Sequence, residues 1–335
     1  MRVMILGAGG LGSVIGGYLA EAGVETTLVA REAHAKAVND KGLKVEGRRG
    51  EMLIKDNLDA VVDPNDAQGE YDYMILAVKS KDTASALKTA DGIRDRLKCV
   101  CSVQNNIVKE GELADWIGQE KVLGASTIEG ATLEGPGFVM NHMTVNTTAY
   151  FGELNGTVSP RAEAITEAFN KAQLVTQAVP YIQQVLWEKL TQIANASTWS
   201  VSSLAGNPEL TFVDGMCIRE GAEHYVRIAR ELLSVYTALG YEPQNFYAPI
   251  SRLKELHAIK DDEEAVQTML GFAARMREQG YRGRTSMHDD VLRGRKTEAD
   301  WIIKPFIDKA PELGLEVPTI TACYRIIKVL DEHLQ

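Results

Sequence analysis

The run Gly7-Ala-Gly9-Gly-Leu-Gly12 is the first place in this sequence where residue type and spacing imply a ligand. It follows an apolar strand and opens a helix, the setting in which a GxGxxG motif holds a dinucleotide. Gly7 permits the tight turn, Gly9 lets a pyrophosphate approach the backbone, and Gly12 lets the helix pack on the sheet. The unpaired N–H groups and positive dipole end of that helix complete an anion site. Gly7, Gly9, Gly10, Leu11 and Gly12 are therefore the expected cofactor contacts. The second strand separates the two nicotinamide dinucleotides. An NAD site ends this strand in Asp or Glu, which accepts from the ribose 2′-hydroxyl. Here it ends Val29-Ala30-Arg31. A cation there suits a 2′-phosphate, so the expected cofactor is NADP; the plainer alternative is a solvated arginine at a helix start, followed by Glu32. Lys79, at the carboxyl end of the run Tyr73 to Val78, faces the same crevice by topology. It either adds a second charge near the adenosine phosphates or is a solvated loop lysine beside Lys81. Asn105 ends the next strand, where its amide can reach nicotinamide or substrate, or can form a turn beside Asn106.

The second half carries a charge on an unexpected face. A helix from Ile182 puts Ile182, Val185, Leu186, Leu190 and Ile193 on one side, and Lys189, three residues after Leu186, falls there too. A lysine in that position snorkels, pairs or works. Desolvation would draw its pKa down toward a value useful for proton transfer. Further on, Glu298 begins a helix whose inner face is Trp301, Ile302 and Phe306. It either pairs with a substrate hydroxyl or with Lys189, or simply complements the helix dipole. Arg293 and Arg295 read as a solvated charged face, and His288 has no evident partner. None of the six histidines has metal-ligand spacing, so no metal is expected.

These residues need elements to position them. Arg2 to Leu6, Thr26 to Ala30, Tyr73 to Val78 and Val100 to Val103 are apolar strand runs, each followed by a plausible helix. Strand and helix alternating in this way imply a doubly wound parallel sheet, a Rossmann-like α/β domain. Val122 to Leu154 is rich in Thr, Val and Gly, with a turn at Gly135-Pro136-Gly137, and suggests antiparallel strands at the sheet's far edge. After about Pro180 strand signals vanish and helical periods fill the rest. The expected division is residues 1–180 as the dinucleotide-binding domain and 181–335 as an all-helical domain carrying substrate and catalytic groups.

Composition bounds the function. At 335 residues the chain suffices for two domains, and 45% hydrophobic with 24% charged residues is ordinary globular usage. A net charge of −10 argues against nucleic acid or an anionic membrane as partner. Four cysteines without metal or disulfide spacing read as small buried hydrophobes. The uncharged run Val3 to Ala20 approaches transmembrane length, but its glycines and flanks suit a buried strand and helix. A cytoplasmic protein is the expectation, with a homodimer left open.

Taken with their neighbours, these residues resemble the ketopantoate reductase (2-dehydropantoate 2-reductase) family over nearly the whole chain. The resemblance rests on GAGGLG, Val-Ala-Arg31, Ala-Val-Lys79-Ser-Lys, Val-Gln-Asn105, Trp187-Glu-Lys189-Leu, Gly206-Asn207-Pro-Glu-Leu, Ser286-Met-His-Asp-Asp290 and Lys296-Thr-Glu298. It implies a Rossmann-like domain followed by a helical one, and hydride transfer from NADPH to the C2 carbonyl of a 2-oxo acid. It also implies Lys189 as general acid, Glu298 as supporting carboxylate, and Asn207 and Ser286 as substrate contacts. Arg31 and Lys79 would lie near the 2′-phosphate and Asn105 near the nicotinamide. Two substrate positions depart from the pattern, since Ile193 and Ser197 stand where asparagines are usual. Ile193 makes the pocket more apolar, which disfavours a buried substrate hydroxyl. Asn106 and Val108 replace glycines and would stiffen and crowd the loop beside the nicotinamide. The expected substrate is ketopantoate or a bulkier, more apolar 2-oxo acid. The competing reading is a non-catalytic NADP-binding sensor or partner-binding protein, which would have no reason to keep Lys189 and Glu298 together.

Overall fold

Val3, Met4 and Ile5 expose no surface at all. A strand covered on both faces reads as a continuous apolar run, and such strands belong to parallel sheets. The structure is a computed structural model that describes residues 1–47, 49–142, 148–248 and 251–335. Its contacts divide the chain into two units, Met1–Leu186 and Trp187–Gln335.

The first unit opens with β1 (Arg2–Leu6), α1 (Gly10–Glu21), β2 (Glu25–Val29) and α2 (Glu32–Lys41). A hairpin of β3 (Leu43–Gly47) and β4 (Gly50–Ile54) follows, then β5 (Leu58–Val61), β6 (Tyr71–Leu76), α3 (Thr83–Thr89), β7 (Leu97–Ser102) and α4 (Lys109–Ile117). The remaining elements are β8 (Gly124–Thr127), β9 (Ala131–Gly135), β10 (Phe138–Asn141), β11 (Ala149–Gly152), α5 (Pro160–Lys171) and β12 (Thr176–Ala178). The main sheet has the order β5-β2-β1-β6-β7, all parallel. The chain runs outward from β1 to β2 and β5, then returns to the other side of β1 as β6. The order therefore reverses between β1 and β6, and in such sheets the crevice beyond the carboxyl ends at that point takes the ligand. The expected parallel sheet is present. The strands expected at Tyr73 to Val78 and Val100 to Val103 both begin and end earlier, as β6 and β7, so Val78 and Lys79 lie in the loop beyond β6.

The antiparallel segment differs from expectation. Strands β8 and β11 pair antiparallel, with β12 parallel on the other side of β11. Among the described residues a single isolated bridge, Val100 to Val122, links this stretch to the main sheet. Strands β9 and β10 leave entirely and join β3 and β4 in a separate sheet of order β4-β3-β10-β9. The reason lies on α1. A Cβ on Gly17 would stand 2.8 Å from Leu43 Cδ2, and one on Gly10 would stand 2.7 Å from the Ala131 carbonyl oxygen. The small face of the helix thus receives the second sheet directly. Residues 143–147, inside the run Val122 to Leu154, lie outside the described residues.

Helix α6 (Ile182–Leu204) spans the division between the units. The second unit continues with α7 (Phe212–Met216), α8 (Arg219–Ala238), α9 (Leu253–Ala258), α10 (Asp262–Glu278), α11 (Ser286–Leu292), α12 (Ala299–Ile302), α13 (Lys304–Glu312) and α14 (Pro318–Asp331). Among the described residues it contains no strand, as expected. Trp199 is wholly buried and donates from Nε1 to the Gly221 carbonyl at 2.7 Å, which ties α6 to α8. Buried Glu231 of α8 accepts from the backbone N–H groups of Thr319 and Ile320, both at 2.9 Å, and so supplies negative charge at the start of α14.

Candidate active site

In the first unit the loop after β1 is folded against the end of β2. The backbone N–H groups of Gly7 and Ala8 donate to the Val29 carbonyl at 3.2 and 2.8 Å. Gly7 has φ +102°, and a Cβ there would come within 2.8 Å of the Val78 nitrogen. It therefore serves both the turn and the close passage of the loop leaving β6. Gly9 is the N-cap of α1 and is exposed, and a Cβ on it would meet nothing within 4 Å. The first turn of α1 holds no acidic side chain. Open space, unpaired N–H groups and no competing carboxylate fit the phosphates of a dinucleotide. Gly10 is constrained by the Ala131 carbonyl, whatever else it contacts. Leu11 is half-buried against the core of this unit.

The charged residues stand at the same carboxyl-end rim. Arg31 is the exposed N-cap of α2, two residues beyond β2. Lys79, also exposed, precedes the single 3-10 turn Ser80–Asp82 after β6. Asn105 is half-buried, three residues beyond β7. One residue supports this rim without being legible as such. His34 of α2 is buried and bridges Ser13 of α1, by Nε2 at 2.9 Å, to the Gly137 backbone N–H, which donates to Nδ1 at 2.9 Å. Because Nδ1 accepts, the ring is neutral, and burial holds its pKa below the ordinary 6.5.

Asn106 is one of the two residues expected to stiffen and crowd the loop beside the nicotinamide. It is buried, and its carboxamide joins Ser80 to the first turn of α4. Val108 is exposed.

In the second unit Lys189 is buried on α6, in line with its position on the apolar face. Ile193 follows one turn later and is half-buried, and Ser197 a further turn on is buried. Ser200, next along this face, meets Thr285 Oγ1 at 2.6 Å. Thr285 caps α11, which begins at the exposed Ser286. The fold thus brings the Ser200 end of α6, about three helical turns beyond Lys189, to the Ser286 turn. Asn207 is different. It lies in an exposed turn after α6, and its Oδ1 accepts from the Glu209 N–H at 2.9 Å. Glu298 is buried and is the N-cap of α12, although its side chain does not cap that helix. Its neighbour Thr297 is fastened to buried Asp331 of α14 by two bonds of 2.9 Å.

Glu188, beside the lysine, was not singled out by sequence. Its buried carboxylate accepts from Tyr236 Oη at 3.1 Å and from the backbone N–H groups of Gln244 and Phe246 at 2.8 and 3.0 Å. It straps the loop after α8 to the turn of α6 that carries Lys189. Burial raises its pKa against the pull of those donors. A charged residue followed by a lysine in a helix offered no signal for this, because the partners, one tyrosine hydroxyl and two backbone N–H groups, lie some fifty residues away.

Comparison with known proteins agrees with this architecture. The family described as ketopantoate reductase PanE/ApbA matches residues 3–156, and its C-terminal part matches residues 181–331. A 2-dehydropantoate 2-reductase of Pyrococcus abyssi is 28% identical, covering 98% of this chain and 97% of its own. One of Archaeoglobus fulgidus is 27% identical, covering 99% of both. Among solved structures, a PanE/ApbA family ketopantoate reductase from Ralstonia eutropha JMP134 superposes with a TM-score of 0.77 at 24% identity over 99% of both chains. D-mandelate dehydrogenase with NADH and anilino(oxo)acetate also gives 0.77, at 18% identity over 99% of both.

Proposed function

The chain belongs to the ketopantoate reductase family and is an oxidoreductase acting on CH–OH groups, and we propose that it reduces a 2-oxo acid to the (R)-2-hydroxy acid with NADPH. Residues 1–180 would hold the cofactor and 181–335 the substrate. The observation that carries the reading is Lys189, a lysine buried on the apolar face of α6 among the residues that match the family's catalytic block.

When bound, reduced nicotinamide supplies hydride to the C2 carbonyl. Lys189 holds a proton for the oxygen at that carbon and delivers it as the oxygen becomes a hydroxyl. Glu298 orients that hydroxyl or the lysine itself. Ser197 and Ser286 supply polar contacts to the rest of the substrate, and Asn207 would join them only through its Nδ2, since its Oδ1 is taken by the Glu209 N–H. Ile193 offers none, which supports an apolar side chain on the 2-oxo acid over a hydroxylated one. The structurally similar D-mandelate dehydrogenase is named for a 2-hydroxy acid with an apolar side chain, which supports this reading. Asn105 would orient the nicotinamide, while Arg31, with Lys79 beside it, supports the 2′-phosphate form of the cofactor.

Replacing Lys189 by alanine should slow turnover by about 10² to 10⁴, with NADPH binding retained. Unchanged turnover in Lys189→Ala would remove the lysine from this role.

A further inference from the structure

The loops leaving β6 and β7 carry Lys79 and Asn105, and no strand pairing holds them to each other. Side chains do so instead. Gln104 donates from Nε2 to the Val78 carbonyl at 3.0 Å and to Thr83 Oγ1 at 2.8 Å, while its Oε1 accepts from Ser102 Oγ at 2.9 Å. Asn106 donates from Nδ2 to Ser80 Oγ at 3.0 Å. Its Oδ1 accepts from the backbone N–H groups of Val108 at 3.0 Å and Lys109 at 2.8 Å. One carboxamide therefore caps the start of α4 and reaches across to the neighbouring loop. Both Gln104 and Asn106 are buried. A buried hydrogen bond of this kind is costly to leave unmade, because neither partner regains water. Behind them, wholly buried Lys109 pairs with Glu110 and donates to the Ala125 carbonyl at 3.0 Å, which anchors the first turn of α4 to β8.

From this geometry we infer that Asn106 is a positioning residue, whose bond to Ser80 fixes the Lys79 loop against the Asn105 loop and so sets the spacing between the phosphate and nicotinamide contacts of the crevice. The inference rests on the dinucleotide reading given above for what the crevice holds. It concerns two residues at the rim of the crevice, Ser80 and Asn106, that need not touch the cofactor. The side chain at 106 adds rigidity by joining two loops whose flexible ends would otherwise have to be ordered when ligand binds.

Ser80→Ala separates the two duties of Asn106, since it removes the partner of Nδ2 and leaves the Oδ1 cap of α4 in place. Hydrogen exchange on the chain without cofactor should show amides of residues 80–83 exchanging about tenfold faster in Ser80→Ala, with Val108 and Lys109 still protected. Asn106→Ala should release both sets. With NADPH, each variant should raise KM for the cofactor about fivefold to tenfold with a smaller change in kcat. The double variant should be no worse than Asn106→Ala alone, as for one shared bond. Unchanged exchange at residues 80–83 in Ser80→Ala would overturn the brace. Faster exchange with an unaltered KM would overturn the positioning role. If the unmodified chain bound no nicotinamide nucleotide, the cofactor reading would fall and the positioning role with it, while the exchange result would still judge the brace.

Discussion

Gly12 and Gly7 approach so closely that a Cβ on Gly12 would stand 2.5 Å from the Gly7 carbonyl oxygen. Gly9, between them in the motif, faces open space and has φ −81°, which other residues adopt. The two glycines should therefore respond differently to the same methyl group. Gly12→Ala should destabilise the chain by about 1–3 kcal/mol or more through overpacking. Gly9→Ala should leave the stability of the cofactor-free chain within about 0.5 kcal/mol and weaken NADPH binding. Thermal unfolding and cofactor titration of both variants check this. Wild-type affinity in Gly9→Ala would mean that the phosphates do not pass over this residue.

Arg31→Ala should weaken NADPH about tenfold or more, the usual scale for a charge-assisted hydrogen bond, and leave NADH binding almost unaltered. Equal losses for both nucleotides would place the 2′-phosphate elsewhere.

How far the sequence disclosed this molecule depended on the distance between interacting partners. The glycine loop and α1 were legible because strand, turn and helix are adjacent in the chain. Lys189 was legible because helical periodicity alone puts it among Val185, Leu186 and Leu190. The β3–β4 hairpin was not, because Lys44, Glu46 and Glu51 break up its apolar pattern and β3 finds its parallel partner β10 almost a hundred residues later. Asn106 could be identified as unusual, but its reach to Ser80 depends on β6 and β7 lying side by side. Glu188 and Asp331 were silent for the same reason, since each works through groups brought near only by packing.

His34 makes the first unit sensitive to acid. Its pKa is depressed by burial, so the folded chain binds fewer protons than the unfolded chain as pH falls. Stability is present above the ordinary histidine value of about 6.5 and is lost progressively below it, toward the folded-state pKa. Protonation would also put an N–H on Nδ1, opposite the Gly137 N–H that now donates to it. Thermal unfolding between about pH 7 and about pH 5 should show Tm falling, and less steeply in His34→Gln. An equal fall in that variant would assign the sensitivity to other groups.

The most direct test of the central claim is the loss of reduced-nicotinamide absorbance when the chain is given NADPH and a series of 2-oxo acids, ketopantoate and bulkier apolar ones among them, with NADH in parallel. The account predicts turnover with NADPH, slower turnover with NADH, and a preference for apolar side chains consistent with Ile193. Tight NADPH binding with no turnover of any 2-oxo acid would contradict it and favour a binding protein that uses the cofactor without chemistry.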